Sequence, residues 1–274
     1  MFGWVYEMPA WALSVIVVGG FALVGAGGLI ASRALAARVV GDPDAYKGDG
    51  VGDFVAATAV LFGLVAALLT VAVWQNYNDL DARVAQEAAS MGALYRLAQD
   101  LPPPVRDELS GAVKSLTREV MTTEWEEQRH GIVVNRADLL IEMRKAISEF
   151  DPKNEAQSNL QQALHTEFDK AYELRRDRRH NVNTGVPGAL YAVVIVSGLN
   201  TIALTWFLPV ARPRLHLVMT GITAAMIGMV IFTIVIVDKP FRGAISIGPE
   251  AFEDSYYFLM DGDSQPDGAP LRPK

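Results

Sequence analysis

The chain has 274 residues, 51% of them hydrophobic and 20% charged, which fits one membrane unit plus one modest soluble unit. Its net charge of −7 argues against a nucleic-acid partner, because phosphate binding calls for a basic surface. With no cysteine, disulfides, zinc ribbons and thiol nucleophiles are excluded.

Charge-free stretches run from Met8 to Ser32 and from Phe54 to Asn78. A third runs from Asn181 to Ala211, and a fourth from Leu215 to Val237 is interrupted only by His216. Each exceeds the ~20 apolar residues that carry a helix across roughly 30 Å of hydrocarbon. None alternates with period two, so four transmembrane helices are predicted and not a barrel. The first lacks a basic flank and has too long an apolar core for a signal peptide, although "ALAA" (34–37) faintly resembles a cleavage site.

Between the second and third spans lies a soluble insert, predicted as helices near 79–100, 104–129, 136–149 and 152–182. Proline in "LPPPVRDE" (101–108) stops one helix and opens the next. "HGIVVNRAD" (130–138) offers a glycine stop and Asn135 as an N-cap. In "FDPKNE" (150–155), Asp151 reads as the cap with Pro152 at the first helical position. The fold class is thus all-α, four transmembrane helices with a helical domain inserted between the second and third. The expected division is 1–78 for the first two spans, 79–182 for the helical domain and 183–239 for the last two spans. Residues 240–260 are then a C-terminal docking segment and 261–274 a disordered tail.

Cytoplasmic termini would put Arg83, Lys170, Arg175, Arg176, Arg178, Arg179, Lys239 and Arg242 on the cytoplasmic side. Arg33, Arg38, Lys47, Arg212 and Arg214 would face the other way. Eight against five favours cytoplasmic termini and a cytoplasmic insert in an inner membrane.

Chemistry-bearing residues are few. Glu127 and His130, and again Asp177 and His180, stand at the i,i+3 spacing of a di-iron helix, and Glu87 and Glu119 would complete the set on paper. Both histidines sit beside helix breaks and Asp177 is crowded by arginines, so salt-bridged or solvated side chains are expected, with no metal and no cofactor. No Ser-His-Asp order, phosphate-cradling loop or HExxH motif appears, and no enzyme is expected. "LRRDRRH" (174–180) spreads four arginines over an arc of about 160°. They read either as a topology anchor paired with acids of neighbouring helices or as a basic ring at a pore mouth. Trp125 is expected to anchor a core beside Glu124, a partner for one of those arginines. Asn200, in the third span, reads as polar glue between helices.

No acid or base lies deep in any span, which argues against proton-coupled pumps and voltage sensors. A passive pore or a non-conducting scaffold remains. On the second span, Ala56, Ala59, Gly63, Ala66, Ala67 and Thr70 form a small-residue side suited to close packing. Phe54, Leu61, Val65, Leu68 and Ala72 form a larger apolar stripe opposite.

Two spans, a helical block and two more spans resemble the bestrophin-like membrane proteins, in the bacterial branch long catalogued as a domain of unknown function. The resemblance rests on "VWQNYNDLDARVAQEAASMGALYRLAQDLP" (73–102), "EW" (124–125), "RRDRR" (175–179) and "DKPFRGAISIGPEAF" (238–252), and covers most of Gly50 to Phe252. It implies a homo-oligomeric, pentameric ion channel that conducts small inorganic anions across the lipid bilayer, with cytoplasmic termini and a hydrophobic neck on the second span. Matching Trp74, Gln75, Asn76, Tyr77 and Leu80 to the family's exit from that span places the neck on Ala57, Leu61 and Val65, with Leu68 on the same stripe. Matching on Gly63 gives Ala56, Val60 and Leu64 instead; the first register is preferred because Leu61 and Val65 lie opposite the small-residue side. Glu87, Glu124, Arg175, Arg176, Arg178 and Arg179 then form a vestibule or a salt-bridge set. The family also follows its fourth span with Pro-Phe and glycine, so Asp238, Pro240, Phe241 and Gly243 read as a structural hinge docking the C-terminal segment onto the helical domain. The acidic run that forms a calcium clasp in eukaryotic members is replaced by "AISIGPEAF". That leaves mainly Asp238 and Glu250 against the six or more oxygens calcium takes. The alternative is a non-conducting scaffold or sensor whose helical domain binds a partner.

Overall fold

A computed structural model describes residues 6–39, 50–133, 137–208 and 210–260. Asn135 and the tail 261–274 lie outside the described residues.

All described regular structure is helical, and four helices are long and apolar enough to cross a membrane. α1 (Ala10–Val39) starts on the carbonyl of Pro9, which accepts from the amides of Ala12 and Leu13. α2 (Val51–Gln99) follows Gly50, whose φ of +73° favours glycine, and carries Asp53 in its first turn, where the helix dipole favours an acid. It runs unbroken for 49 residues, so the second span and the first insert helix are one element. α3 (Val105–Glu119), a π-helical turn (Val120–Glu124) and α4 (Trp125–Arg129) follow, then α5 (Asp138–Glu149) and α6 (Glu155–Asn181). The remaining spans are α7 (Gly188–Thr205) and α8 (Pro213–Val237), followed by the short α9 (Glu250–Ser255) and a π-helical turn, Tyr256–Met260.

Two boundaries differ from the sequence expectation. The N-cap of α6 is Asn154, not Asp151: its Oδ1 accepts from the Gln157 amide at 2.9 Å, while Gln157 Oε1 accepts from the Lys153 amide at 2.7 Å. This reciprocal pair satisfies the first-turn donors better than a cap three residues earlier could, and Asp151 pairs with Lys153 instead. The third span is helical only over the 18 residues of α7, although the charge-free stretch is longer. Pro187 caps its start, and its end tightens through Trp206, Phe207 and Leu208, whose amides bond three residues back.

The chain divides into two compact units. One takes the described residues of Met1–Tyr77 with Gly185–Lys239 and Gly243–Ile245. In it, α1 and α8 approach closely through small residues: a Cβ on Gly228 would lie 3.0 Å from the Val18 backbone, and one on Gly25 would lie 2.7 Å from Ala224. Trp206 Nε1 donates to the Gly25 carbonyl at 3.1 Å, tying the end of α7 to α1. From α2 the packed face is Phe62, Ala66, Leu69 and Val73, not the small-residue side expected from sequence; of that set only Ala66 is buried. The small partner sits on α7, where a Cβ on Gly198 would come 3.3 Å from the Phe62 ring and 2.9 Å from Ile227. The knob belongs to α2 and the hole to α7.

The other unit takes Asn78–Thr184, Pro240–Arg242 and the described residues of Ser246–Lys274. Its core is Leu94, Leu109, Val113, Leu116, Met143, Ile147, Leu164 and Phe168, drawn from the second half of α2 and from α3, α5 and α6.

Candidate functional site

The stripe of α2 assigned to the neck is uncovered in the protomer. Ala57 is exposed, Leu61 and Leu68 are each 64% exposed, and Val65 is 37% exposed. Val60 and Leu64, from the alternative register, are exposed as well. At 100° per residue, Leu61 and Leu68 lie on the far side of the helix from the packed stripe of Ala66 and Val73. In the most apolar stretch of α2 only 11% is buried, against 44% in α8. Asn200, midway along α7, is also exposed and makes no side-chain hydrogen bond among the described residues.

In the helical unit the arginine-rich end of α6 is split in two by helix phase. Arg175 and Arg178 continue the buried stripe of Leu164, Phe168 and Ala171, whereas Arg176 is exposed and Arg179 half-buried. Arg178 grips Glu87 of α2 with two parallel bonds, Nε to Oε2 at 2.7 Å and Nη2 to Oε1 at 2.9 Å. Its Nη1 lies 3.2 Å from Glu124 Oε1, and Arg175 Nη2 lies 2.7 Å from Glu124 Oε2. Gln128, one turn on, donates to Glu124 Oε1 at 3.2 Å. All four charged side chains are at most 7% exposed. The Arg178 guanidinium also lies 5.0 Å from the Trp125 ring and 5.7 Å from Phe252.

The two arginines respond oppositely to this setting. Burial is the largest influence on Arg178 and opposes its charge, but Glu87 and then Glu124 more than offset it, and its pKa is raised. For Arg175 burial wins: Glu124 compensates only in part, Arg178 repels it, and its pKa is lowered. Nε and Nη1 of Arg175 have no hydrogen-bond partner among the described groups. Chemically this is a locked, charge-balanced core. Its carboxylates are committed to guanidinium groups and are not free to act as bases or ligands.

The carboxylates of the di-iron pattern are likewise dispersed. Glu87 belongs to Arg178, Asp177 pairs with Arg83 at 2.5 Å, and His130 lies 3.4 Å from Glu126. Among the described residues no three His, Asp or Glu side chains gather as metal ligands.

The exit from α8 has two halves. Asp238 is buried in the membrane unit, where Oδ1 accepts from the Val186 amide at 2.5 Å and Oδ2 from the Tyr6 hydroxyl at 3.0 Å. Gly243, with φ +91°, also belongs there, and Tyr6 packs against it. In the helical unit the Ile247 amide donates to the Pro240 carbonyl at 2.7 Å, closing a loop that buries Phe241. Phe241 meets Trp125 edge-on at 6.1 Å, Phe252 stands 5.8 Å from the same ring, and Trp125 Nε1 donates to the Ile247 carbonyl at 3.1 Å. Trp125 therefore holds the C-terminal segment by both ring and N–H.

Sequence reasoning missed Tyr6 and the Val186 amide as partners of Asp238, and no local pattern announces a contact 232 residues apart. It also missed which arginines turn inward, although the stripe through Leu164, Phe168 and Ala171 points at Arg175 and Arg178 when extended at helical period.

A family model of the bestrophin-like domain matches residues 10–252. No curated protein and no solved structure matches the chain.

Proposed function

From the membership of this chain in the bestrophin-like family, we propose that it is a homo-oligomeric ion channel whose α2 helices surround a central axis. The observation that carries this reading is the bareness of α2. The span with the fewest buried residues bears the stripe of Ala57, Leu61, Val65 and Leu68, and a ring of copies would give that stripe a common axis to face. A narrow apolar collar of this kind can gate ions by dewetting without any charge. Asn200 supports association too, because an amide facing hydrocarbon gains from a hydrogen-bonding neighbour on another copy. Five copies, the number the resemblance implies, and an inner-membrane orientation with cytoplasmic termini and insert complete the proposal.

The resemblance also implies anion conduction. Arg175 and Arg178, half of the cluster that would make a basic vestibule, are instead buried against Glu87 and Glu124 and lend that preference little support. The test is ion flux through the purified protein in liposomes, with the subunit number measured by native mass spectrometry. Conduction by an oligomer is expected. A correctly assembled protein that passes no ion would favour the scaffold alternative, in which the helical unit binds a partner.

A further inference from the structure

The one ionisable side chain in the apolar run Leu215–Val237 is His216, and it is only 2% exposed within the membrane unit. Its Nε2 lies 2.8 Å from the Thr205 carbonyl, which can only accept, so Nε2 carries the proton and donates. Nδ1 is then an acceptor, and Arg33 Nη2, near the end of α1, donates to it at 3.1 Å. A guanidinium held by an imidazole in this way is fixed in place without losing its charge. Arg33 is exposed and makes no other hydrogen bond or ion pair among the described residues, so its remaining N–H donors are open.

The place of this guanidinium says what can meet it. The apolar stretch of α1 ends at Arg33 and that of α8 begins at Pro213, so both helices leave hydrocarbon at this end of the unit. Phe207, 60% exposed between α7 and α8, marks the same boundary with an aromatic ring. Arg212 and Arg214 are also exposed and have no acidic partner among the described residues. With Ala211, Pro213 and Leu215 they line an open cleft of about 550 Å³. The His216 amide donates to the Arg212 carbonyl at 3.0 Å, so the cleft lies one helical turn from the imidazole that holds Arg33. Asp53, the acid in the first turn of α2, forms no ion pair with any of the three arginines. Uncompensated guanidinium groups at the edge of hydrocarbon stand where lipid phosphates lie, and their planar fork matches two phosphate oxygens.

We propose that this end of the α1–α8 pair binds the phosphate of an anionic lipid headgroup, with Arg33, oriented by His216, as its main donor and Arg212 and Arg214 beside it. The site stands whether or not the protein conducts ions. Its net positive charge favours phosphatidylglycerol over phosphatidylcholine, whose own cation cancels the phosphate. Native mass spectrometry of the full-length protein in detergent, with each lipid added in turn and with glycerol 3-phosphate as a soluble competitor, tests it. Phosphatidylglycerol should be retained in preference to phosphatidylcholine, and glycerol 3-phosphate at equal concentration should not displace it. Arg33→Gln should cut that preference about fivefold, the worth of one basic side chain beside an anionic lipid surface. Arg33→Lys keeps the charge but not the fork and should not restore the wild-type preference. Arg176→Gln, an exposed arginine of the helical unit, should leave it unchanged. Equal retention of the two lipids by the wild type would overturn the assignment, and so would an unchanged preference in Arg33→Gln. Displacement by glycerol 3-phosphate would make this a site for soluble phosphate and not for lipid. Full recovery in Arg33→Lys, or an equal loss in Arg176→Gln, would reduce the attraction to diffuse charge with no site behind it.

Discussion

Replacing Arg178 by methionine removes both ion contacts of Glu87 at once, because Nε and Nη2 of that one guanidinium hold its two oxygens. Glu87 is then a carboxylate 3% exposed with no hydrogen-bonded counter-charge, Arg175 acting on it only at longer range. Stranding one member of a buried pair costs about 3–5 kcal/mol, and at about 1.4 kcal/mol per decade that is roughly two to three and a half decades in the local opening equilibrium. Arg175→Met should behave differently. Its partner Glu124 keeps Arg178 Nη1 at 3.2 Å and Gln128 at 3.2 Å, and burial already works against the Arg175 charge. A cost of about 1 kcal/mol or less is expected there. Hydrogen exchange followed by mass spectrometry on the intact protein in detergent reads both, through the amides of Leu174 to Asn181 at the end of α6. The double change Arg178→Met with Glu87→Leu removes charge from both sides and leaves Glu124 with Arg175, so it should recover most of the lost protection. Equal effects of the two single changes would refute the reasoning. So would a double change as damaging as Arg178→Met alone.

Leu61→Ser with Val65→Ser should raise resting ion flux in liposomes, since two polar collars one turn apart would hold a hydrated path open, while Phe62→Leu on the packed face should leave resting flux unchanged. Phe241→Ala should cost about 3–5 kcal/mol and expose the C-terminal segment to limited proteolysis, because the ring is 1% exposed and faces Trp125. Single cysteines in place of Ser110 or Ser158 should react in intact cells only with membrane-permeant thiol reagents, and one in place of Asp44 with impermeant ones; the reverse pattern would invert the proposed orientation. The native chain has no cysteine to remove first.

The membrane helices were legible because hydrocarbon sets a length that composition alone can meet, and the proline breaks at 101–104 and 187 were legible because a missing N–H acts locally. What sequence could not supply was choice among equals. Asp151 and Asn154 are both good caps, and only the return bond from Gln157 decides between them. The small-residue side of α2 was a sound candidate for packing, yet a glycine on α7 accepts Phe62 instead, a preference fixed by the partner helix. For Glu124 and the arginines, the kind of interaction was readable and its membership was not, since membership depends on which side of α6 meets the core. The Tyr6–Asp238 bond joins residues 232 apart and has no sequence trace at all.

The π-helical turn at Val120–Glu124 bears on how long this part of the chain has to be. Before it, Leu109, Ala112, Val113 and Leu116 mark the buried side; at its last residue and beyond, Glu124, Trp125 and Gln128 do. Counted at 100° per residue, the second set is rotated from the first by about one residue's worth. The wide turn absorbs that surplus and returns Trp125 to the core. Thr122 and Thr123, within the turn, are exposed. A lineage that lost one of them would relax the turn into ordinary α-helix and keep Glu124 facing Arg178, whereas one that gained a residue would have no slack left to take it up. Length variation among relatives at this point should therefore run in one direction, towards the shorter form.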